Sequence, residues 1–177
     1  MMQLQDLLDA GRADDLVTAR VRERWLRHQA TEDATFVGTL LDLAEHTAPL
    51  SLSLVGGRRH DGRVVGLAAD AVVVDERGEH VVIRLGAVVF VRPAPGTVTA
   101  VASGDRAASL ELAFGELLAR VAPDQPDVAV SFVSGDAVTG RLLAVGVDVM
   151  TVQVSAGDAG LVYCPLPSVA SVRLRSG

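Results

Sequence analysis

An internal repeat sets the fold expected of this chain. Residues in the stretch 31–92 have similar residues 78 positions later; the matches include Gly57 with Gly135, Gly62 with Gly140, Arg63 with Arg141, Asp70 with Asp148 and Val74 with Val152. After a three-residue insertion near Gly157 the offset becomes 81. Two copies are too few to stack as a solenoid, so the repeat predicts a duplicated unit.

Each unit reads as one helix followed by five short strands. Leu50, Leu52 and Leu54 alternate with serines, which is typical of a half-buried strand. Four further runs rich in Val and Leu, at 62–68, 71–75, 81–85 and 87–91, are separated by turn residues. The spacing of apolar residues predicts a helix before the first strand, capped by Thr31, and a second helix over 107–121.

The expected fold is therefore mainly β with helices: two tandem units, each a helix followed by a compact five-stranded antiparallel meander. We expect an N-terminal helical segment over 1–30, a helix and first five-stranded unit over 31–92, a linker over 93–106, and a helix and second five-stranded unit over 107–177. We also expect four helix residues to be buried, either against the strands of their own unit or at the junction between the two units: Phe36, Leu40, Phe114 and Leu118.

The pattern resembles the Sm/LSm family, whose topology is also that of the bacterial RNA chaperone Hfq. The order of the first Sm motif is followed by Leu52, Leu54, Gly57, Gly62, Val64, Asp70, Val72 and Val74. The run IRLGAVVFV at 83–91 is close to the second motif, an Ile-Arg-Gly followed by spaced valines. The resemblance implies that the two units are tandem duplicated Sm-like or SH3-like five-stranded small barrels, each preceded by a helix. The Asn that lines the RNA pocket of the family has no counterpart here.

Composition limits the function classes. No run approaches the ~18 uninterrupted apolar residues of a membrane span, and the acidic start of the chain does not read as a signal peptide. The single cysteine, Cys164, excludes an internal disulfide and fits a reducing compartment, so a cytoplasmic location is expected. The net charge of −6 argues against strong sequence-independent nucleic-acid binding.

The sequence offers few candidate site residues. The basic run that contains Arg58, Arg59 and His60, together with Arg84, could contact phosphate. A solvated hairpin tip explains that run better, because Asp61 follows it and the equivalent run at 134–136 is acidic. Turn chemistry accounts for Asp70 and Asp148 through bonds to their own backbone. No spacing of His or Cys predicts a metal site, Cys164 reads as a small buried apolar residue, and no catalytic motif or cofactor site is present.

We therefore expect a non-enzymatic protein-interaction or scaffold module, with RNA or DNA binding as the alternative and at most weak. Its partners would be a protein, or a second copy joined through the barrel edge strands. The strand at 88–91 is wholly apolar, whereas its counterpart at 169–175 is more polar. An unprotected edge strand invites pairing. We expect the strand at 88–91 to be covered by the second barrel of the same chain or by another subunit, because strand pairing satisfies the backbone; the N-terminal helix with Trp25 and Leu26 is the remaining candidate.

Overall fold

The computed structural model of the protein describes residues 22, 25, 34–97, 110–154 and 160–175. Helix α1 spans Phe36–Glu45 and helix α2 spans Phe114–Val121. The strands are β1 (Leu50–Leu54), β2 (Arg59–Leu67), β3 (Ala71–Glu76), β4 (Glu79–Arg84), β5 (Val88–Pro93), β6 (Asp127–Phe132), β7 (Ala137–Val145), β8 (Val149–Val154), β9 (Gly160–Pro165) and β10 (Val169–Leu174). The N-terminal helix expected within 1–30 and the cap expected at Thr31 lie outside the described residues, apart from Arg22 and Trp25, which are both helical and exposed.

All ten strands form one antiparallel sheet in the order β5-β1-β2-β3-β4-β10-β6-β7-β8-β9. The first five and the last five follow the same order, with the fifth strand of each repeat beside its first. The mainly-β class and the shared strand order predicted from the repeat are confirmed. Where the described residues form helices, none is long and apolar enough to cross a membrane.

Helix α1 begins at Phe36. Thr35 is its N-cap, and the Thr35 hydroxyl accepts a hydrogen bond of 3.0 Å from the Gly38 N–H. Leu40 and Leu43 on its inner face are buried, as the 3.6-residue spacing predicts. Phe36 differs from the prediction, since 41% of its surface is exposed. The first turn of α1 therefore extends past the core of its own repeat.

Helix α2 is shorter than predicted, because the segment before it is extended rather than helical. The Leu110 N–H donates to the Leu67 carbonyl at 2.9 Å, and the Ala69 N–H donates to the Leu112 carbonyl at 3.0 Å. These bonds tie the segment to the turn between β2 and β3 of the first repeat. A backbone bonded in this way cannot also form the helical turn that the apolar spacing indicated.

The core consists of two clusters, and each includes side chains from both repeats. The cluster that surrounds Phe114 and Leu118 includes Ala68, Ala71 and Val82 of the first repeat. The cluster that surrounds Leu40 includes Ala170 of the second repeat. Each repeat thus completes its core with side chains of the other.

Candidate functional site

The two repeats join where β4 pairs with β10. The register sets Ile83 opposite Ser171, Val82 opposite Val172 and Val81 opposite Arg173. We call this pairing, with the side chains around it, the inner junction. It joins the fourth strand of the first repeat to the fifth strand of the second, so the sheet continues through it without an edge.

A polar network crosses the inner junction. His60 on β2 is buried; its Nδ1 lies 3.1 Å from a Glu76 carboxylate oxygen and its Nε2 lies 3.1 Å from the Ser171 hydroxyl. Arg173 on β10 forms ion pairs with both Glu76 and Glu79. Burial lowers the pKa of His60 below its usual 6.5, although the hydrogen bond and charge of Glu76 oppose that shift. Burial therefore favours a neutral His60 ring.

Arg84 also belongs to the inner junction. Its Nε donates to the Val169 carbonyl at 3.1 Å, and its Nη2 donates to the Pro167 carbonyl. Both acceptors belong to the second repeat. Arg84 is thus held against backbone of the other repeat through two of its nitrogens.

Helix α2 is attached to the first repeat at its N-terminus. The Asp70 carboxylate accepts a hydrogen bond of 2.5 Å from the N–H of Phe114, the first residue of α2. The residue before the helix is Ala113, which has no side-chain acceptor, so Asp70 supplies the cap from the other repeat. The expectation that Asp70 serves only its own turn missed this contact, because the partner lies 44 residues away.

The hairpin tips of the two repeats also meet at the inner junction. Gly56, in the β1–β2 tip, and Gly135, in the β6–β7 tip, have φ values of +85° and +96°. A Cβ added to Gly56 would lie 2.8 Å from the Gly135 nitrogen. Glycine is therefore required here for both conformation and space.

The four residues proposed to contact phosphate are placed in different surroundings. Arg58 is exposed at the β1–β2 tip, and Arg59 is exposed but lies 3.1 Å from the Asp61 carboxylate. His60 and Arg84 are bonded within the inner junction. A phosphate-binding role for these residues stays a prediction, and Arg58 is the one of the four whose side chain has neither an ion pair nor a hydrogen bond among the described residues.

The sheet ends at two strands that we call the open edges, β5 and β9. Among the described residues β5 pairs with β1 alone and β9 pairs with β8 alone. Large apolar side chains are exposed on both: Val89 (60%), Phe90 (46%), Leu161 (52%) and Tyr163 (65%). The expectation that the second repeat covers the strand at 88–91 is wrong, because that repeat joins through β10 to β4. Cover by another subunit stays a prediction.

Among the described residues, no group of three His, Cys, Asp or Glu could hold a metal ion. Cys164 is buried, as the sequence indicated, and burial raises the pKa of its thiol. A buried thiol with a raised pKa is a poor nucleophile.

The chain has a similar solved structure but no matching family model or curated protein. No family model matches the chain, and no curated protein matches it. Among solved structures, the chain is similar to an Hfq protein from Anabaena sp., at 27% sequence identity and a TM-score of 0.29, over 31% of this chain and 88% of that one.

Proposed function

We propose that the protein is a self-assembling scaffold module of two tandem Sm-like barrels, whose chains join head to tail through the open edges. One observation carries the proposal: the inner junction pairs the fourth strand of one repeat with the fifth strand of the other. The open edges are the remaining fifth strand, β5, and the remaining fourth strand, β9. A second chain can therefore repeat outside the molecule the pairing that exists inside it.

The register of the inner junction transfers to the open edges through the repeat. With the offset of 81, Phe90 of one chain would lie opposite Cys164 of the next, and Val91 opposite Tyr163. Backbone N–H and C=O groups on both edges would gain partners along this register. The exposed apolar side chains of β5 and β9 would be removed from water at the same time, which favours association by roughly 25 cal/mol for each Å² of apolar surface buried.

Such an interface joins two different surfaces, so it is heterologous. A heterologous interface produces a closed ring when its rotation closes, and otherwise an open filament. In the inner junction the sheet passes directly from one repeat to the next. Repetition of that geometry would build an assembly from five-stranded units alone, with each chain supplying two.

Nucleic-acid binding is the second candidate, supported by the exposed Arg58 at a hairpin tip. The charge balance opposes it, with a net −6 over the chain. Arg59 has a carboxylate partner, and Arg84 bonds to carbonyls across the inner junction. We therefore expect no affinity tighter than micromolar for uridine-rich RNA at physiological salt.

The experiment is size-exclusion chromatography with light scattering, with absorbance read at 260 and 280 nm. We expect the wild-type chain to elute as a multiple of its own mass, with the absorbance ratio of pure protein. Phe90→Lys places a charge on the β5 edge and should shift the protein toward monomer. Val65→Lys is the matched control, because Val65 is 54% exposed on an internal strand.

Two outcomes would contradict the proposal. One is a wild-type chain that remains monomeric over the whole accessible concentration range. The other is an equal loss of assembly in both lysine variants, which would mean that added charge rather than edge pairing is responsible. An absorbance ratio that shows co-purified nucleic acid would favour the second candidate.

A further inference from the structure

We propose that helix α1 of each chain docks on the second repeat of the next chain, with Asp148 capping its N-terminus. This inference rests on the proposed head-to-tail assembly and adds a second contact to it. The Asp148 carboxylate would accept a hydrogen bond from the Phe36 N–H of the neighbouring chain. The Val147 N–H would donate to the Ala34 carbonyl of that same neighbour.

The inner junction supplies the pattern for both bonds. There, Asp70 accepts from the Phe114 N–H at 2.5 Å, and the Ala69 N–H donates to the Leu112 carbonyl at 3.0 Å. At the repeat offset of 78, Asp148 is the counterpart of Asp70 and Phe36 is the counterpart of Phe114. In the same way Val147 corresponds to Ala69, and Ala34 corresponds to Leu112. Every group in the docking contact therefore has a counterpart that is already bonded within the chain.

Within the part of the chain that the structure describes, the groups that would form the contact have no hydrogen-bond partner. Among the described residues, the Asp148 carboxylate makes no hydrogen bond, whereas that of Asp70 caps α2. Thr35 does not compete for the site, because its hydroxyl accepts from Gly38, the third residue of α1, rather than from Phe36. The first N–H of a helix has no partner within the helix, so it is open to an acceptor from outside.

Exposure of the apolar residues points to the same contact. Phe114 is 2% exposed, whereas its counterpart Phe36 is 41% exposed. Phe114 belongs to a cluster that includes Val82 on β4, which is 5% exposed. The counterpart of Val82 on β9 is Tyr163, which is 65% exposed. Phe36 and Tyr163 would thus bury each other's surface when the neighbouring chain docks.

The occupant that fits this surface is a second copy of the chain. Asp148, Val147 and Tyr163 lie in the second repeat around the β9 edge, while Ala34 and Phe36 lie in the first repeat. The two groups complement each other in the way that the inner junction shows. They also flank the same pair of open edges, so docking and strand pairing would occur at one interface.

Cross-linking tests the contact directly. Two variants of the full-length chain, Ala34→Cys and Val147→Cys, are oxidised separately and as an equimolar mixture. We expect a disulfide-linked dimer in the mixture and little in either variant alone, because each variant lacks the second thiol of the contact. The native Cys164 is buried and gives the background, which wild-type protein measures.

An affinity measurement gives a second test. Asp148→Ala should raise the dissociation constant for chain association about tenfold, as expected when a helix loses a capping carboxylate. Asp124→Ala is the matched control, because it removes the same charge from an exposed site before β6. It should leave the dissociation constant unchanged.

The outcomes separate this inference from the proposed function. A wild-type chain that assembles, with no cross-link in the mixture and equal affinities for Asp148→Ala and Asp124→Ala, would overturn the docking contact and leave edge pairing intact. A wild-type chain that never assembles would defeat both. A cross-link in the mixture together with the tenfold loss in Asp148→Ala would support both.

Discussion

The inner junction and the open edges use the same two kinds of strand but different side chains. The inner junction carries a buried histidine, a buried serine and an arginine with two carboxylate partners. The open edges carry Val89 and Phe90 on β5, and Leu161 and Tyr163 on β9. Two strands of one chain are held at a high effective concentration, so they pair even when polar side chains replace part of the apolar contact. The polar network can then fix the register of the pairing. Pairing between chains has no such advantage and depends more on apolar burial.

The largest expected difference is between Phe114 and Phe36. Phe114→Ala should lower the free energy of unfolding by about 3–5 kcal/mol, because it leaves a cavity in a buried cluster. Phe36→Ala should change that free energy by less than about 0.5 kcal/mol in the single chain, where Phe36 is 41% exposed.

Denaturant unfolding in a Phe90→Lys background measures both variants without the contribution of assembly. Equal losses would mean that the first turns of the two helices are packed alike in the single chain, and the comparison between them would fail.

A smaller difference separates Arg173 from its counterpart Arg92. Arg173→Ala removes the ion pairs to Glu76 and Glu79, at a site where the arginine side chain is 28% exposed, and should cost about 1–3 kcal/mol. Arg92 on β5 lies 5.5 Å from the centre of the Phe90 ring and is exposed. Arg92→Ala should cost less than about 0.5 kcal/mol in the single chain.

Thermal unfolding of the two variants checks this pair. If Arg92→Ala lowered the melting temperature more than Arg173→Ala, the charge of Arg92 would stabilise β5. The distinction between a polar junction and apolar edges would then be wrong.

The smallest effect is expected from the titration of His60. Its folded-state pKa lies below the unfolded value of 6.5, so between the two values the unfolded chain binds a proton that the folded chain does not. The contribution of His60 to the free energy of unfolding should therefore be constant above pH 6.5. It should decrease as the pH drops below 6.5.

His60→Val should reduce this acid sensitivity, since valine occupies the equivalent position 138 of the second repeat. Unfolding curves over pH 5–8 for both proteins provide the test. Parallel pH profiles would show that His60 does not contribute to the acid sensitivity of the junction.

The strands could be predicted from the sequence, but the pairing of β4 with β10 that joins the two repeats could not. Leu50, Leu52 and Leu54 mark the most deeply buried face of β1, although Ser51 between them is buried as well, so the strand is visible in the residues themselves. Which edge pairs with which is decided by backbone groups, which every residue carries. The choice of β10 rather than β5 for the inner junction therefore had no signature in local apolar pattern, although the polar residues Ser171 and Arg173 on β10 were a hint of partners elsewhere.

The candidate site was predictable only in part, for related reasons. The repeat correctly pointed to Asp70 and Asp148 as matched positions, but the helix amide that Asp70 caps belongs to a residue distant in sequence. Arg84 was singled out for its charge, whereas its geometry shows a donor to carbonyls of the other repeat. Long-range bonds of this kind depend on the completed fold.

The order of the strands has a consequence for any surface that the assembled protein would present. Each chain contains two five-stranded units that are joined by the inner junction. An assembly would therefore gain or lose these units two at a time, and the number of units in it would always be even. The two units differ in sequence, for example in Arg58 and its counterpart Asp136. Their surfaces would alternate around the perimeter, so a molecule that recognises one of them would find half as many binding positions as there are units.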